Sequence, residues 1–326
     1  MKAPTLEDIR ATSKRLARYV ERTPTIGHPG GIEGAADLFL KLELFQRTGT
    51  FKFRGALNQM LGAALKPGQG VTAVSAGNHA VAVSCAAAML EVEAKVVVLS
   101  SANPARRALA ESYGSELIYR ESGADAFATA ERLVEEEGRF FVHPFDGPHV
   151  AEATGGVGLE LMNDVPALEA VVIAVGGGGL AGGAAAAVKL TNPECAVYGV
   201  EPEGADGMRR SFEAGRPLSG LDVHTIADSL GPPMTTEWTY GLCRRFVDEI
   251  VTVTDDDLCR AMALLFRDVK LAVEPSGAAA LAARIGPLKT RLEGKRVGLI
   301  VCGACIDWAS YSRYLERGLA TLRDTT

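Results

Sequence analysis

Residues 48–55 read Thr-Gly-Thr-Phe-Lys-Phe-Arg-Gly. Lys52 stands there between two phenylalanines, just ahead of an apolar helical run. An amine held among rings is short of water. Desolvation disfavours the ammonium form and leaves free amine able to attack a carbonyl. A surface lysine whose stem lies along two rings would read the same in isolation, so the rest of the chain decides.

A second stretch, Val171-Val-Ile-Ala-Val-Gly-Gly-Gly-Gly-Leu180, runs into an alanine-rich segment. Bare backbone N–H groups at the positive end of a helix form a cradle for phosphate. A tight turn with close helix–sheet packing is the structural alternative, but four consecutive glycines carry a heavy chain-entropy cost. The same run holds a G-x-G-x-x-G at Gly177, Gly179 and Gly182. Glu201 closes the next strand, where a ribose-binding acid would stand. An NAD-dependent oxidoreductase is therefore a competing expectation, although it leaves Lys52 unexplained. A third stretch, Ser75-Ala76-Gly77-Asn78-His79, lies between a strand and a helix. Its hydroxyl and backbone N–H groups suit a carboxylate, and Asn78 offers a donor and an acceptor on a short arm. An N-cap with a tight turn is the plainer alternative.

The elements that must hold these groups alternate between strand and helix. Strands are expected at 71–74, 94–99, 116–119, 140–143, 170–175, 196–200 and 296–301. Helices are expected at 80–90, 104–113, 124–137, 152–162, 181–190, 255–270 and 276–284. Uninterrupted β-branched runs such as 94–99 mark strands covered on both faces. The fold class is α/β, with open, mostly parallel sheets flanked by helices. Turn clusters at 66–70 and 144–148 divide the chain. A large domain of 1–69 and 147–326 and a small inserted domain of 70–146 are expected. The loop-rich stretch 217–236 is placed near the site.

With 326 residues, 47% apolar and 23% charged, the chain is long enough for two cores and has the composition of a globular enzyme. A net charge of −6 argues against nucleic-acid binding, which needs clustered Lys and Arg. No apolar run reaches membrane-spanning length and the first ten residues lack an apolar core, so no membrane partner and a cytoplasmic location are expected. Cys302-Gly-Ala-Cys305 has C-x-x-C spacing, yet no second Cys or His pair completes a zinc site. Of the five histidines only His79 is tied to a site. Arg106-Arg107 and 135–137 read as solvated helix faces.

Lys52 in T-G-T-F-K-F-R-G-A, then S-A-G-N-H-A, then the tetraglycine loop, in this order, resemble the fold-type II pyridoxal-phosphate enzymes. Within them the chain is similar to the serine/threonine dehydratase and serine racemase group, whose fold is that of the tryptophan synthase β chain. The resemblance implies pyridoxal 5'-phosphate as cofactor, an amino-acid substrate and a homodimer. It makes Lys52 the lysine that carries the cofactor and places Phe51 beside the ring. Asn78 would bond the phenolic oxygen, with Ser75, Ala76, Gly77, Asn78 and His79 around the substrate carboxylate. Gly176, Gly177, Gly178, Gly179 and Leu180 would hold the phosphate. Glu274 would line the ring pocket and Cys302 would face the pyridine nitrogen. A neutral thiol there makes the ring a weaker electron sink than a carboxylate would, which favours prompt loss of a β-hydroxyl.

Three departures refine the expectation. Serine racemases of this group carry Ser where Ala76 stands, so racemisation is expected to be poor and elimination to dominate. Relatives hold a divalent cation (Mg or Ca) with a Glu, a carbonyl four residues on and an Asp six residues on. Here Glu201 and Ala205 fit, but Gly207 replaces the Asp and Asp206 comes one residue early, which puts the cation in doubt. Cys305 and Thr154-Gly-Gly156 also depart from the threonine-dehydratase pattern near the substrate end. The expected reaction is β-elimination from a 3-hydroxy amino acid of the threonine or serine type, giving a 2-oxo acid and ammonia. Open alternatives for the substrate are 3-hydroxyaspartate, phenylserine or a hydroxyectoine-derived compound.

Overall fold

The computed structural model describes residues 2–28, 31–35, 37–75, 77–100 and 102–323. The chain begins with α1 (Leu6–Leu16), β1 (Thr25–His28), β2 (Leu38–Leu42) and α2 (Lys52–Gly62). There follow β3 (Val71–Val74), α3 (Asn78–Met89), β4 (Ala94–Leu99), α4 (Pro104–Ser112), β5 (Glu116–Arg120), α5 (Gly123–Glu137) and β6 (Phe140–Phe141). The next elements are α6 (Pro148–Asp164), β7 (Ala170–Ala174), α7 (Gly179–Thr191), β8 (Ala196–Pro202), α8 (Gly207–Ala214), α9 (Glu237–Phe246) and β9 (Glu249–Val253). The last are α10 (Asp255–Leu264), α11 (Pro275–Ile285), β10 (Val297–Val301) and α12 (Trp308–Arg323).

Two sheets result. The larger has the order β1-β2-β10-β7-β8-β9, parallel except where β1 pairs antiparallel with β2. The smaller, β5-β4-β3-β6, is parallel throughout. Every residue of β7 is buried, which is why it reads Ala-Val-Val-Ile-Ala without a polar break. The two sheets have separate cores, and α2 belongs with the smaller one. Phe53, Leu57 and Met60 pack with Val71 and Val96, while Leu299 and Val172 belong to the other cluster. The start of α2 is nonetheless tied to the larger sheet. Thr50 bridges to Gly303 beyond β10, and the Phe51 N–H donates to the Cys302 carbonyl at 3.2 Å. Lys52 therefore sits on the seam between the two sheets.

Sequence periodicity missed β1, β2, β9, α1, α8, α9 and α12. In β2 the reason is Lys41, a cation within an apolar run. It is fully buried, bonded to the Thr23 carbonyl and paired with Glu160 at 2.6 Å. The helix expected over 255–270 ends as α-helix at Leu264. A wider π turn follows over Leu265–Val269, and Lys270, at φ 64°, stops it. No described helix is long and apolar enough to cross a membrane.

Candidate active site

Parallel strands gather their carboxyl ends at one edge, where α/β sheets place their ligands. Lys52, the loop after β3, the loop after β7 and the segment after β10 meet there around a cavity. Phe51, Lys52, Asn78, the loop 176–180, Glu274 and Cys302 all line it. A second cavity opens beside it, with Lys52, Asn78 and Gly177 shared. Ser75, Gly77 and His79 line this second one. Ala76 lies outside the described residues.

The Lys52 amine donates to the Pro144 carbonyl at 2.7 Å and lies 5.2 Å from the Phe51 ring centroid. Burial pushes its pKa down to about 8, against opposing pulls from Cys302 and Glu274. The second ring of the Phe-Lys-Phe run does not share this role. One residue along the helix is a third of a turn, so Phe53 faces the core and is fully buried.

The glycine loop is shaped by a residue that sequence reading passed over. A Cβ on Gly177 would come within 2.3 Å of the Phe145 ring, and Gly178 sits at φ +88°. Glycine is thus required at both positions, on steric and on backbone grounds. The loop opens α7, whose first N–H groups have no partner within the helix.

Asn78 donates its amide to Glu274 at 2.7 Å, and its side-chain oxygen is buried without a partner. Glu274 is 1% exposed and also accepts from Ser276, Ser229 and Arg106. Burial raises its pKa, and the Arg106 guanidinium is the main opposing influence. The Cys302 thiol donates to the Ser276 carbonyl at 3.3 Å, and burial pushes it up to about 12, so it stays neutral. His79 Nε2 donates to the Val142 carbonyl at 2.8 Å, while burial pushes its pKa down to about 3.

The expectation that Arg106 belongs to a solvated helix face is overturned. The side chain is 5% exposed. It reaches from α4 to the Cys305 carbonyl at 2.7 Å, to Asp228 at 2.6 Å and to Glu274 at 3.2 Å. His143, which sequence spacing tied to no site, lines the larger cavity. Its ring nitrogen accepts the Asp146 N–H at 2.8 Å, and burial pushes it down to about 4. The stretch 217–236 contributes Asp228, Ser229 and 231–234 to the same wall.

Glu201 and Ala205 line neither cavity. The two Glu201 oxygens accept the N–H groups of Met208 and Arg209 at 2.9 and 2.8 Å. Asp206 is paired with Arg209. No cluster of three or more potential metal ligands occurs among the described residues.

A family model described as pyridoxal-phosphate dependent enzyme matches residues 16–303. The chain belongs to this family. It is 49% identical over 320 residues to a phenylserine dehydratase of Ralstonia pickettii, covering 97% of each chain. It is 35% identical over 315 residues to a catabolic L-threonine dehydratase of Escherichia coli strain K12, covering 94% of this chain and 95% of that one. The structure of maize serine racemase superposes with a TM-score of 0.90 at 32% identity, over 99% of this chain and 100% of that one. These matches put the chain in the serine/threonine dehydratase and serine racemase branch. The reading of Gly177, Gly179 and Gly182 as a dinucleotide fingerprint falls with them. Glu201, committed to the α8 N-terminus, is not free for a ribose either.

The residues present fit pyridoxal phosphate. A desolvated amine, a glycine loop at a helix start, an unpartnered buried amide oxygen on Asn78 and a neutral thiol converge on one cavity. The chemistry of this donor set matches the aldehyde, the phosphate and the ring.

Proposed function

We propose that this chain is a pyridoxal-phosphate-dependent dehydratase that converts a 3-hydroxy amino acid to a 2-oxo acid and ammonia by β-elimination. Lys52 is the observation that carries it. Proton transfer at neutral pH needs a base with a pKa near 7–8. Among the titratable groups described on the shared cavity wall, Lys52 at about 8 meets that need, whereas His79 at about 3 and His143 at about 4 are weak bases.

The bound cofactor supplies an aldehyde to hold the substrate amine and an electron sink for charge at Cα. Lys52 would hold the cofactor through its amine and, once freed by the substrate amine, would take the Cα proton. Phe51 walls the ring. Asn78 orients the ring oxygen and Glu274 holds Asn78. The loop 176–180 takes the phosphate. Ser75, Gly77 and His79 bind the substrate carboxylate at the start of α3. Cys302, kept neutral by burial, would give the ring nitrogen no full proton, which would favour prompt loss of the β-hydroxyl. The resemblance puts Ala76 where serine racemases carry a serine, and an alanine has no side-chain proton to deliver, which favours elimination over racemisation. The segment 70–146 closes on the rest of the chain and excludes water. The contacts from Arg106 and Asn103 to Asp228, Glu274 and Asp307 support that role. A cytoplasmic homodimer is part of the same proposal, carried by the resemblance.

The holoenzyme should release ammonia and a 2-oxo acid in equal amounts from at least one of threonine, serine, phenylserine and 3-hydroxyaspartate. Racemised substrate without ammonia would sink the reading. We also propose that the reaction needs no divalent cation, because the acids at 201 and 206 are occupied by backbone N–H groups and by Arg209. Dialysis against EDTA should change kcat/KM by less than about twofold. A larger loss that Mg or Ca restores would show that a cation is needed.

A further inference from the structure

Most of the large apolar side chains of this chain are buried, yet two exposed ones border the same cavity from opposite sides of the seam. Phe127 is 41% exposed and Met234 37% exposed, and both line the larger cavity beside Lys52. Phe127 lies on α5 but off its buried stripe of Ala126, Ala130 and Leu133, so core packing gives no reason for a ring there. Met234 is held in place by a bridge to Ser219, and its neighbour Thr235 donates its N–H to the Leu218 carbonyl at 2.8 Å. Pro232 and Pro233 extend the same apolar rim.

Charge on this wall points the same way. Arg106 is already shared between Asp228 and Glu274. Lys52 is taken up by the cofactor, and His79 and His143 are neutral. Among the described lining residues no cation is left to meet a second carboxylate, and the Asp228 carboxylate, 61% exposed, would repel one. A methyl group offers less apolar surface than a ring to a wall that holds Phe127, Met234, Pro232 and Pro233. A ring can pack against Phe127 edge-on and against the Met234 thioether.

We propose that Phe127 and Met234 are specificity-determining residues that select a 3-hydroxy amino acid bearing an aryl group at Cβ, clasping the ring from the two domains. This rests on the elimination reading above. In the holoenzyme, Phe127→Ser and Met234→Ser should each lower the ratio of kcat/KM for phenylserine to that for threonine by roughly ten- to hundredfold, carried mainly by KM. Phe127→Arg places a carboxylate partner on the wall and should raise 3-hydroxyaspartate relative to phenylserine by roughly a hundredfold. An unchanged phenylserine-to-threonine ratio in both serine variants would overturn the inference and leave elimination standing. So would a wild-type preference for threonine over phenylserine. Failure of the wild type to release ammonia from the whole panel would instead remove the underlying reading, and the inference with it.

Discussion

Lys52→Ala is expected to lower kcat by at least about 10³–10⁴-fold and to abolish the visible absorption of the lysine-linked cofactor. The size follows from two lost roles, since in the proposed reaction the same amine would both anchor the cofactor and take the Cα proton. The fold should not suffer. The amine has one hydrogen bond, to the Pro144 carbonyl, and burial already works against its charged form. Thermal stability of the cofactor-free variant should match or exceed that of the wild type, which separates lost chemistry from misfolding. Retained absorption together with retained turnover would show that another residue carries the cofactor.

The same lysine sets a pH dependence whose sign is fixed by its shift. Its pKa in the folded chain is about 8, below the ordinary 10.5. The ammonium form cannot attack the cofactor aldehyde. Cofactor capture by the cofactor-free protein should therefore rise about tenfold per pH unit below 8 and level off above it. A rate that kept climbing towards 10.5 would mean that the amine is not desolvated. By linkage the unfolded chain binds more protons between these two values, so this group adds stability as pH rises through that window.

Parts of the site were legible because certain residue types are themselves chemistry. A lysine beside rings, four glycines after a buried strand and a Ser-x-Gly-Asn-His loop each announce a local geometry. Together they pointed to the cavity they line. What the sequence hid depends on contacts far along the chain. Phe145 makes glycine obligatory at 177, yet the two are 32 residues apart, and nothing local to either reveals the contact. His143 was passed over for want of ligand spacing, although its place just after β6 puts it at the carboxyl edge where such sites form. Phe53 misled in the opposite direction, because adjacency in sequence is not adjacency around a helix. Glu201 looked available as a ribose or metal ligand, but the glycine at 207 starts a helix whose first N–H groups it caps.

Arg106 carries the second large effect. Two adjacent arginines on a short helix suggest a solvated face, and nothing within α4 says otherwise. Tertiary structure reverses this by laying the guanidinium over Gly77, where a Cβ would stand 3.1 Å from Nη1, and by pairing it with the buried Glu274. Removing it takes away the main influence that opposes burial at that carboxylate, which must then stay charged without a counter-ion or take up a proton. Breaking one side of a buried pair costs about 3–5 kcal/mol. Arg106→Met should destabilise the protein by about that much, since Asp228, being largely exposed, is resolvated easily and contributes little. The double variant Arg106→Met/Glu274→Gln should recover most of the loss, because no buried charge is then left unpaired, while glutamine still offers Asn78 an acceptor. The two changes must therefore be strongly non-additive in chemical denaturation. The pair also joins the two sheets across the seam, from α4 to the start of α11, so if closure encloses the substrate as proposed, both single variants should raise KM. Additive stability effects would mean that Arg106 and Glu274 do not meet in solution, and the closed arrangement would lose its main polar tie.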